Sequence, residues 1–369
     1  MRLTLPLLVV WTACQDPGES PPSDTTEPAE PFDLQVFDEV VFYDGYAGLV
    51  DEPVPDGVQR LRNDLITRLL ADEELDAVSD TLHLDVTIGA LCDNYDRLGH
   101  VALAFVPKGE STYDPASVER IELGRFITPF MHKNRDPKSV DYHFDASNVV
   151  PVLHDTERRG AFDLWMELEV FGVPYAANEE VLGCDGRNDV FDGSLVLSSE
   201  PIGERAPFDT LLPLTYKAPF NNYQEGASDA LGTTRKTVPF TLPDDVEDAQ
   251  VVLIMSNHGA NAGGEEYERR QHVVEVDGVE VMDFVPGRES CEPWREVNTQ
   301  PNGIYGSSPR TDEEWQSFSN WCPGDVIDTR VIPTGALDAG EHTIVVDVPD
   351  AEFVDAQGDF PLSLYVQAR

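Results

Sequence analysis

Cations are scarce in this chain of 369 residues: 25 Lys and Arg stand against 69 Asp and Glu, a formal net charge of -44. Such a surface repels nucleic-acid phosphates and anionic lipid, which excludes both as partners. The acidic residues are spread along the chain and form no tail, the pattern of a well-hydrated folded surface. Past the N-terminal residues, no apolar run is long enough to span a bilayer. Histidine is sparse and scattered over His83, His100, His132, His143, His154, His258, His272 and His342. With no His-x-His pair, a clustered imidazole metal site is not expected. Helical periodicity is nearly missing as well, since only Asp72-Glu73-Glu74-Leu75-Asp76-Ala77-Val78 reads as a helix, and no repeat of solenoid length is present.

What is there reads as strand and turn. Leu82–Ile88, Val101–Val106, Phe162–Val170, Leu195–Ser198, Thr237–Leu242, Val251–Met255, His272–Val276 and His342–Val348 are β-branched or alternating, with Gly, Pro, Asp and Asn between them. The pattern predicts an all-β protein of antiparallel jelly-roll sandwiches. The strand pattern breaks over Glu200–Asp209, which predicts one domain over 32–205 and a second over 206–369. The acidic stretch Asp185–Asp192 lacks the glycine and distal glutamate of an EF-hand loop and is expected to be solvated and metal-free.

The first residues are expected to lie outside the fold. Arg2, the apolar stretch Leu3–Trp11 and Thr12-Ala13-Cys14 read as a lipoprotein-type signal over 1–14, with Cys14 the lipidation site; an ordinary secretory signal is the alternative. Residues 15–31, rich in Pro, Glu, Ser and Thr, read as a disordered tether. The expectation is an exported protein at the outer membrane or cell surface, or else secreted or periplasmic. Its only membrane contact would be the lipid anchor. Without Cys14, Cys92, Cys184, Cys291 and Cys322 remain, an even number suited to an oxidising compartment.

Chemistry concentrates in a few segments. Cys92-Asp93-Asn94-Tyr95-Asp96-Arg97 closes an alternating strand with a carboxylate, a guanidinium that can hold it ionised, and a ring that can face a sugar. Gly124-Arg125-Phe126-Ile127-Thr128-Pro129-Phe130 follows. Further on come Ser256-Asn257-His258-Gly259, Gly264-Glu265-Glu266-Tyr267-Glu268, and Cys291 through Trp321-Cys322-Pro323-Gly324. Taken alone, Asp96–Arg97 also reads as a surface ion pair, Glu266 as part of a solvated acidic turn, and Trp321 as packing over a disulfide.

In this order the segments resemble the peptide-N-glycosidase F family, whose Cys-Asp-x-aromatic-Asp-Arg turn carries the primary catalytic aspartate. The resemblance implies two eight-stranded jelly rolls side by side, as in copper-dependent peptidylglycine monooxygenases, with a site in the groove between them. It also implies hydrolysis of the amide joining asparagine to the first N-acetylglucosamine of an N-linked glycan, with no cofactor. N-glycosylated proteins or glycopeptides would be the partners, and the chain is expected to act as a monomer. By the same resemblance Asp96, Glu266 and Glu167 are the catalytic carboxylates, with Arg97 fixing the ionisation of Asp96. Tyr95, Tyr267 and Trp321 would face sugar rings, and Cys291 would pair with Cys322, leaving Cys92 for Cys184.

The chain departs from the family pattern in places. The glutamate turn carries Gly264 and Glu268 where the family has cysteines, Phe318 stands for a substrate-facing arginine, and Glu169 stands for a tryptophan and is expected to add negative charge to the site. These departures keep open a surface glycan-binding or interaction module that has lost catalysis. A copper monooxygenase, the other owner of this fold, needs clustered histidines that the chain lacks.

Overall fold

The structure, a computed structural model, describes residues 31–220, 234–260, 264–300, 304–317, 320–352 and 358–369. The expected signal, Cys14, the tether up to residue 30 and Phe318 lie outside the described residues.

The first half runs through β1 (Phe32–Tyr43), β2 (Val58–Arg62), β3 (Leu65–Leu69), β4 (His83–Ala90), β5 (Leu98–Pro107), β6 (Glu119–Ile127), β7 (Ser139–Asp145), β8 (Phe162–Val170) and β9 (Asp189–Ser199). One antiparallel sheet has the order β1-β9-β4-β7, and the facing sheet contains β6-β5-β8-β3-β2. Period-2 alternation drives the arrangement. Leu84, Val86 and Ile88 of β4 meet Met166, Leu168 and Val170 of β8 in one core, while Trp165, Glu167 and Glu169 point out of the other face.

The second half repeats the plan with β10 (Thr210–Ala218), β11 (Arg235–Leu242), β12 (Val246–Met255), β13 (His272–Val276), β14 (Val279–Phe284), β15 (Val326–Ile327), β16 (Thr329–Leu337), β17 (Gly340–Asp347) and β18 (Leu362–Ala368). Its sheets are β10-β18-β12-β16 and β11-β17-β13-β14 around a second core. Leaving out β2 and β15, the strands of each half fall in the order first-eighth-third-sixth and second-seventh-fourth-fifth. That is the jelly roll, twice.

The two sandwiches are packed side by side. β10, β12 and β18 lie against β6, and Leu211, Val252 and Tyr365 join the first core. β15 crosses over to pair with β6, Val326 opposite Phe126 and Ile327 opposite Arg125.

All eight expected strands are present, several of them longer than expected. The acidic stretch 185–192 is only half loop: Asp189–Asp192 open β9, paired with β1 and β4. Besides the expected helix (α1, Asp72–Ala77), four others occur among the described residues: α2 (Val150–Leu153), α3 (Thr156–Ala161), α4 (Tyr175–Glu180) and α5 (Asp312–Gln316). These are single turns, too short for periodicity to register. Two are set by local caps: Asp155 accepts from the Glu157 and Arg158 amides, and Thr311 forms a capping box with Glu314. The hairpin β13–β14 turns on Asp277-Gly278, both in the left-handed region at φ 51° and 77°, as a type I′ turn requires.

Candidate active site

The turn 92–97 connects β4 to β5 and brings three polar side chains to the edge of the first sandwich. Asp93 is buried and organises it, accepting from the Tyr95 amide (2.9 Å), the Val173 amide (2.7 Å) and Arg97 Nε (2.6 Å). The disulfide Cys92–Cys184 ties the start of the turn to the segment after α4. The guanidinium of Arg97 is therefore committed to Asp93, not to Asp96 as expected.

Asp96 faces a cleft of about 410 Å³ between the sandwiches, also lined by Tyr95, Arg97, Phe130, His258, Glu266, Tyr267 and Trp321. Although the residue keeps some exposure there, desolvation, followed by the charge of Glu266, pushes its carboxyl up to about 8 against the opposing pull of Arg97. The expected ionising effect of Arg97 is present but outweighed.

Glu266 comes from the opposite wall, on a 3₁₀ turn over Glu265–Tyr267. Burial raises its carboxyl, while the Gly259 amide (3.0 Å) and the Tyr267 hydroxyl stabilise the charged form. The turn keeps its shape without the family's cysteines. Asn320 Nδ2 lies 2.9, 2.7 and 3.0 Å from the carbonyls of Glu265, Glu266 and Glu268, and Arg270 grips Glu265 at 2.8 Å. Polar contacts hold the turn that carries Gly264 and Glu268 in place of the family's cysteines.

The aromatic residues form walls. Tyr95 is over a third exposed, meets Phe130 edge-on at 6.0 Å, and has the Arg97 guanidinium 5.5 Å from its ring centre. Trp321 is buried beside the Cys291–Cys322 disulfide, donates to the Asn257 carbonyl (2.9 Å), and shows part of its ring to the cleft next to His258. Packing and cleft lining are both true of it.

Two expected site residues lie elsewhere. Glu167 sits mid-strand in β8 opposite Ala102, buried under Tyr113 (2.7 Å) and Arg120 (3.2 Å), and does not line the cleft. Glu169 adds no free negative charge: burial alone would raise its carboxyl, but Lys217 (2.5 Å) and Arg62 (2.8 Å) hold it at about 2, away from the cleft. Among the described residues no three His, Cys, Asp or Glu side chains converge as metal ligands. Asn320, Asp93 and His258 were not legible as site residues: Asn320 acts on carbonyls remote in the chain, and Asp93 and His258 act within turns whose backbone decides the pairing.

The arrangement suits proton transfer. Burial raises both carboxyls, and the charge of Glu266 raises that of Asp96 further, so an acid that holds its proton near neutral pH faces a second carboxyl across a solvent-open cleft. That combination supplies an acid and a base at one position.

Comparisons with known proteins agree with this architecture. Residues 33–185 match the family model for peptide-N-glycosidase F, N terminal, and residues 227–367 that for peptide-N-glycosidase F, C terminal. No curated protein shows significant sequence similarity. Among solved structures, PNGF-II in space group C2 is 18% identical with a TM-score of 0.66, over 92% of this chain and 65% of that one. This chain thus spans about two thirds of the length of PNGF-II. Recombinant peptide:N-glycanase F is 15% identical with a TM-score of 0.55, over 92% and 96%. PNGase F described as a glycosylasparaginase from Flavobacterium meningosepticum is 13% identical with a TM-score of 0.53, over 92% and 96%. With both halves matched in order, this chain belongs to the peptide-N-glycosidase F family.

Proposed function

We propose that the protein hydrolyses the amide between an asparagine side chain and the first sugar of an N-linked glycan on glycoproteins or glycopeptides. The supporting observation is that Asp96 and Glu266, from separate sandwiches, open onto one cleft walled by aromatic rings. In this reading Glu266 takes a proton from water as it adds to the side-chain carbonyl carbon. Asp96, protonated near neutral pH, delivers its proton to the departing nitrogen. The C–N bond breaks, leaving an aspartate on the polypeptide and a glycosylamine on the glycan. Tyr95, Tyr267 and Trp321 offer apolar surface to the sugar, and Arg97 acts through Asp93 by holding the turn. Glu167 takes no part in this scheme. The two disulfides support placing the protein outside the cytoplasm, and Leu3–Trp11 before Cys14 supports a lipid anchor there.

Incubation with a denatured N-glycoprotein tests the reading. Wild type releases glycan with formation of aspartate, and Asp96→Asn lowers the rate at least a hundredfold, on the scale of losing a general acid. Release by neither protein while both bind the glycan would replace catalysis with a lapsed binding module, the alternative to which the missing third carboxylate in the cleft lends support.

A further inference from the structure

Arg125, in the motif Gly124-Arg125-Phe126, has no part in the chemistry above, yet it is fully buried with 0% exposure. Its guanidinium spans the two sandwiches. Nε and Nη2 donate to the two Glu122 oxygens at 2.8 and 2.7 Å within the first, which leaves Nη1 to reach the second. Nη1 donates to Ser256 Oγ at 2.9 Å and to the Pro361 carbonyl at 2.7 Å. The Ser256 hydroxyl lies 2.7 Å from His258 Nε2, and the following Gly259 amide donates to the Glu266 carboxylate at 3.0 Å. Burial, then the charge of Arg125, keeps the His258 imidazole neutral, at about 3. A bidentate guanidinium fixes direction as well as distance, so this chain of contacts constrains the wall that carries Glu266.

We propose that Arg125 is a positioning residue: through Ser256 it pins the Ser256–Gly259 wall to β6 and thereby sets Glu266 against Asp96. The proposal rests on the glycosidase reading for its catalytic consequence, though its structural consequence can be measured without activity. The groups facing Asp96 are Asp93 and Arg97 from its own turn, Glu266 and Tyr267 from the 3₁₀ turn, and Tyr305 beyond Cys291, with His258 lining the same cleft. Of the charged ones, only Glu266 hangs on the pinned wall. If the wall loosens, its charge recedes and the Asp96 carboxyl titrates at lower pH.

The decisive variant is Ser256→Ala, which cuts the link to the wall but leaves the buried Arg125–Glu122 pair; Ser256→Thr restores the hydroxyl, and Arg125→Lys retains a charge without the fork. Asp96 is followed by carbon-13 NMR of carboxyl-labelled aspartate, assigned with Asp96→Asn, and glycan release is measured in parallel. The expected result is an Asp96 midpoint lower by about half a unit or more in Ser256→Ala and recovered in Ser256→Thr, with cooperative thermal unfolding retained in both. The high-pH limb of glycan release should move by the same amount, with kcat falling about tenfold and KM for a short glycopeptide nearly unchanged. A Ser256→Ala midpoint within about 0.2 unit of wild type would overturn the pin, whether or not Arg125→Lys folds. A wild type that releases no glycan would sink the glycosidase reading alone, since the NMR midpoint still decides the pin.

Discussion

Replacing Glu266 by Gln removes a charge while keeping the shape and hydrogen-bonding capacity of the side chain, and its effect on Asp96 can be estimated. The Asp96 carboxyl is raised from 3.8 to about 8, with desolvation first and the Glu266 charge second. Two unit charges about 4 Å apart interact by about 1 kcal/mol in water and about 4 kcal/mol at an effective dielectric of 20. At about 1.4 kcal/mol per unit, a charge at that separation would shift a carboxyl by about 0.7 to 3 units. The cleft is open to solvent and burial is the larger cause, so the lower part of that range applies, about 1 unit. Glu266→Gln should therefore move the Asp96 midpoint from about 8 to about 7, read by carbon-13 NMR of labelled carboxyls. Glycan release by this variant should fall at least tenfold, because the base is lost as well. An Asp96 midpoint unmoved at about 8 would refute the electrostatic coupling of the two walls and leave burial, with the smaller effect of the Asp93 charge, as the cause.

Other outcomes follow from the same geometry. Because the folded Asp96 carboxyl titrates at about 8 and the unfolded one at 3.8, its stability penalty is absent below the lower value and grows to its full size as pH rises through the upper. Asp96→Asn should accordingly raise the unfolding temperature at pH 8 and leave it unchanged near pH 3, as thermal scans at both values would show. Opening Cys92–Cys184 with Cys184→Ser, across a sequence separation of 92, should lower unfolding stability by about 3–5 kcal/mol in denaturant titration. Glu167→Gln disrupts the buried contact with Arg120 and should cost about 2–3 kcal/mol of stability, while kcat/KM for glycan release stays within about threefold of wild type. A hundredfold loss of kcat/KM with an intact fold would return Glu167 to the catalytic set.

Much of this was legible beforehand. The strands around both cores follow from local alternation, as in Leu84, Val86 and Ile88, which any sheet partner would bury on the same face. Ten of the eighteen strands among the described residues were not read beforehand, β10 and β1 among them. β10 is partly covered along almost its whole length by the neighbouring sandwich and so shows no clean alternation, and β1 changes register between Phe37 and Val40. The family resemblance pointed to the turns Cys92–Arg97 and Gly264–Glu268, and residues of both line the cleft.

Partner choice was not legible. From the order of residues, Arg97 adjoins Asp96, yet the backbone of the turn directs its fork to Asp93, four positions earlier. Glu167 and Glu169 share a face of β8 by simple period-2 geometry, but only the docking of Tyr113, Arg120 and Lys217 above that face decides that both are neutralised and withheld from the cleft. The missing cysteines around Glu266 gave no hint that the Asn320 side chain would bind three carbonyls in their place.

The amino-acid order alone thus determined the all-β class and the sign and size of the surface charge, since these depend on short-range pattern and composition, whereas the two acidic turns were singled out only through the family resemblance. Tertiary structure decided which carboxylates meet and which are silenced, and where Asp96 titrates. Those depend on burial and on charges that come into range only when the two sandwiches dock, with Arg125 bridging the joint.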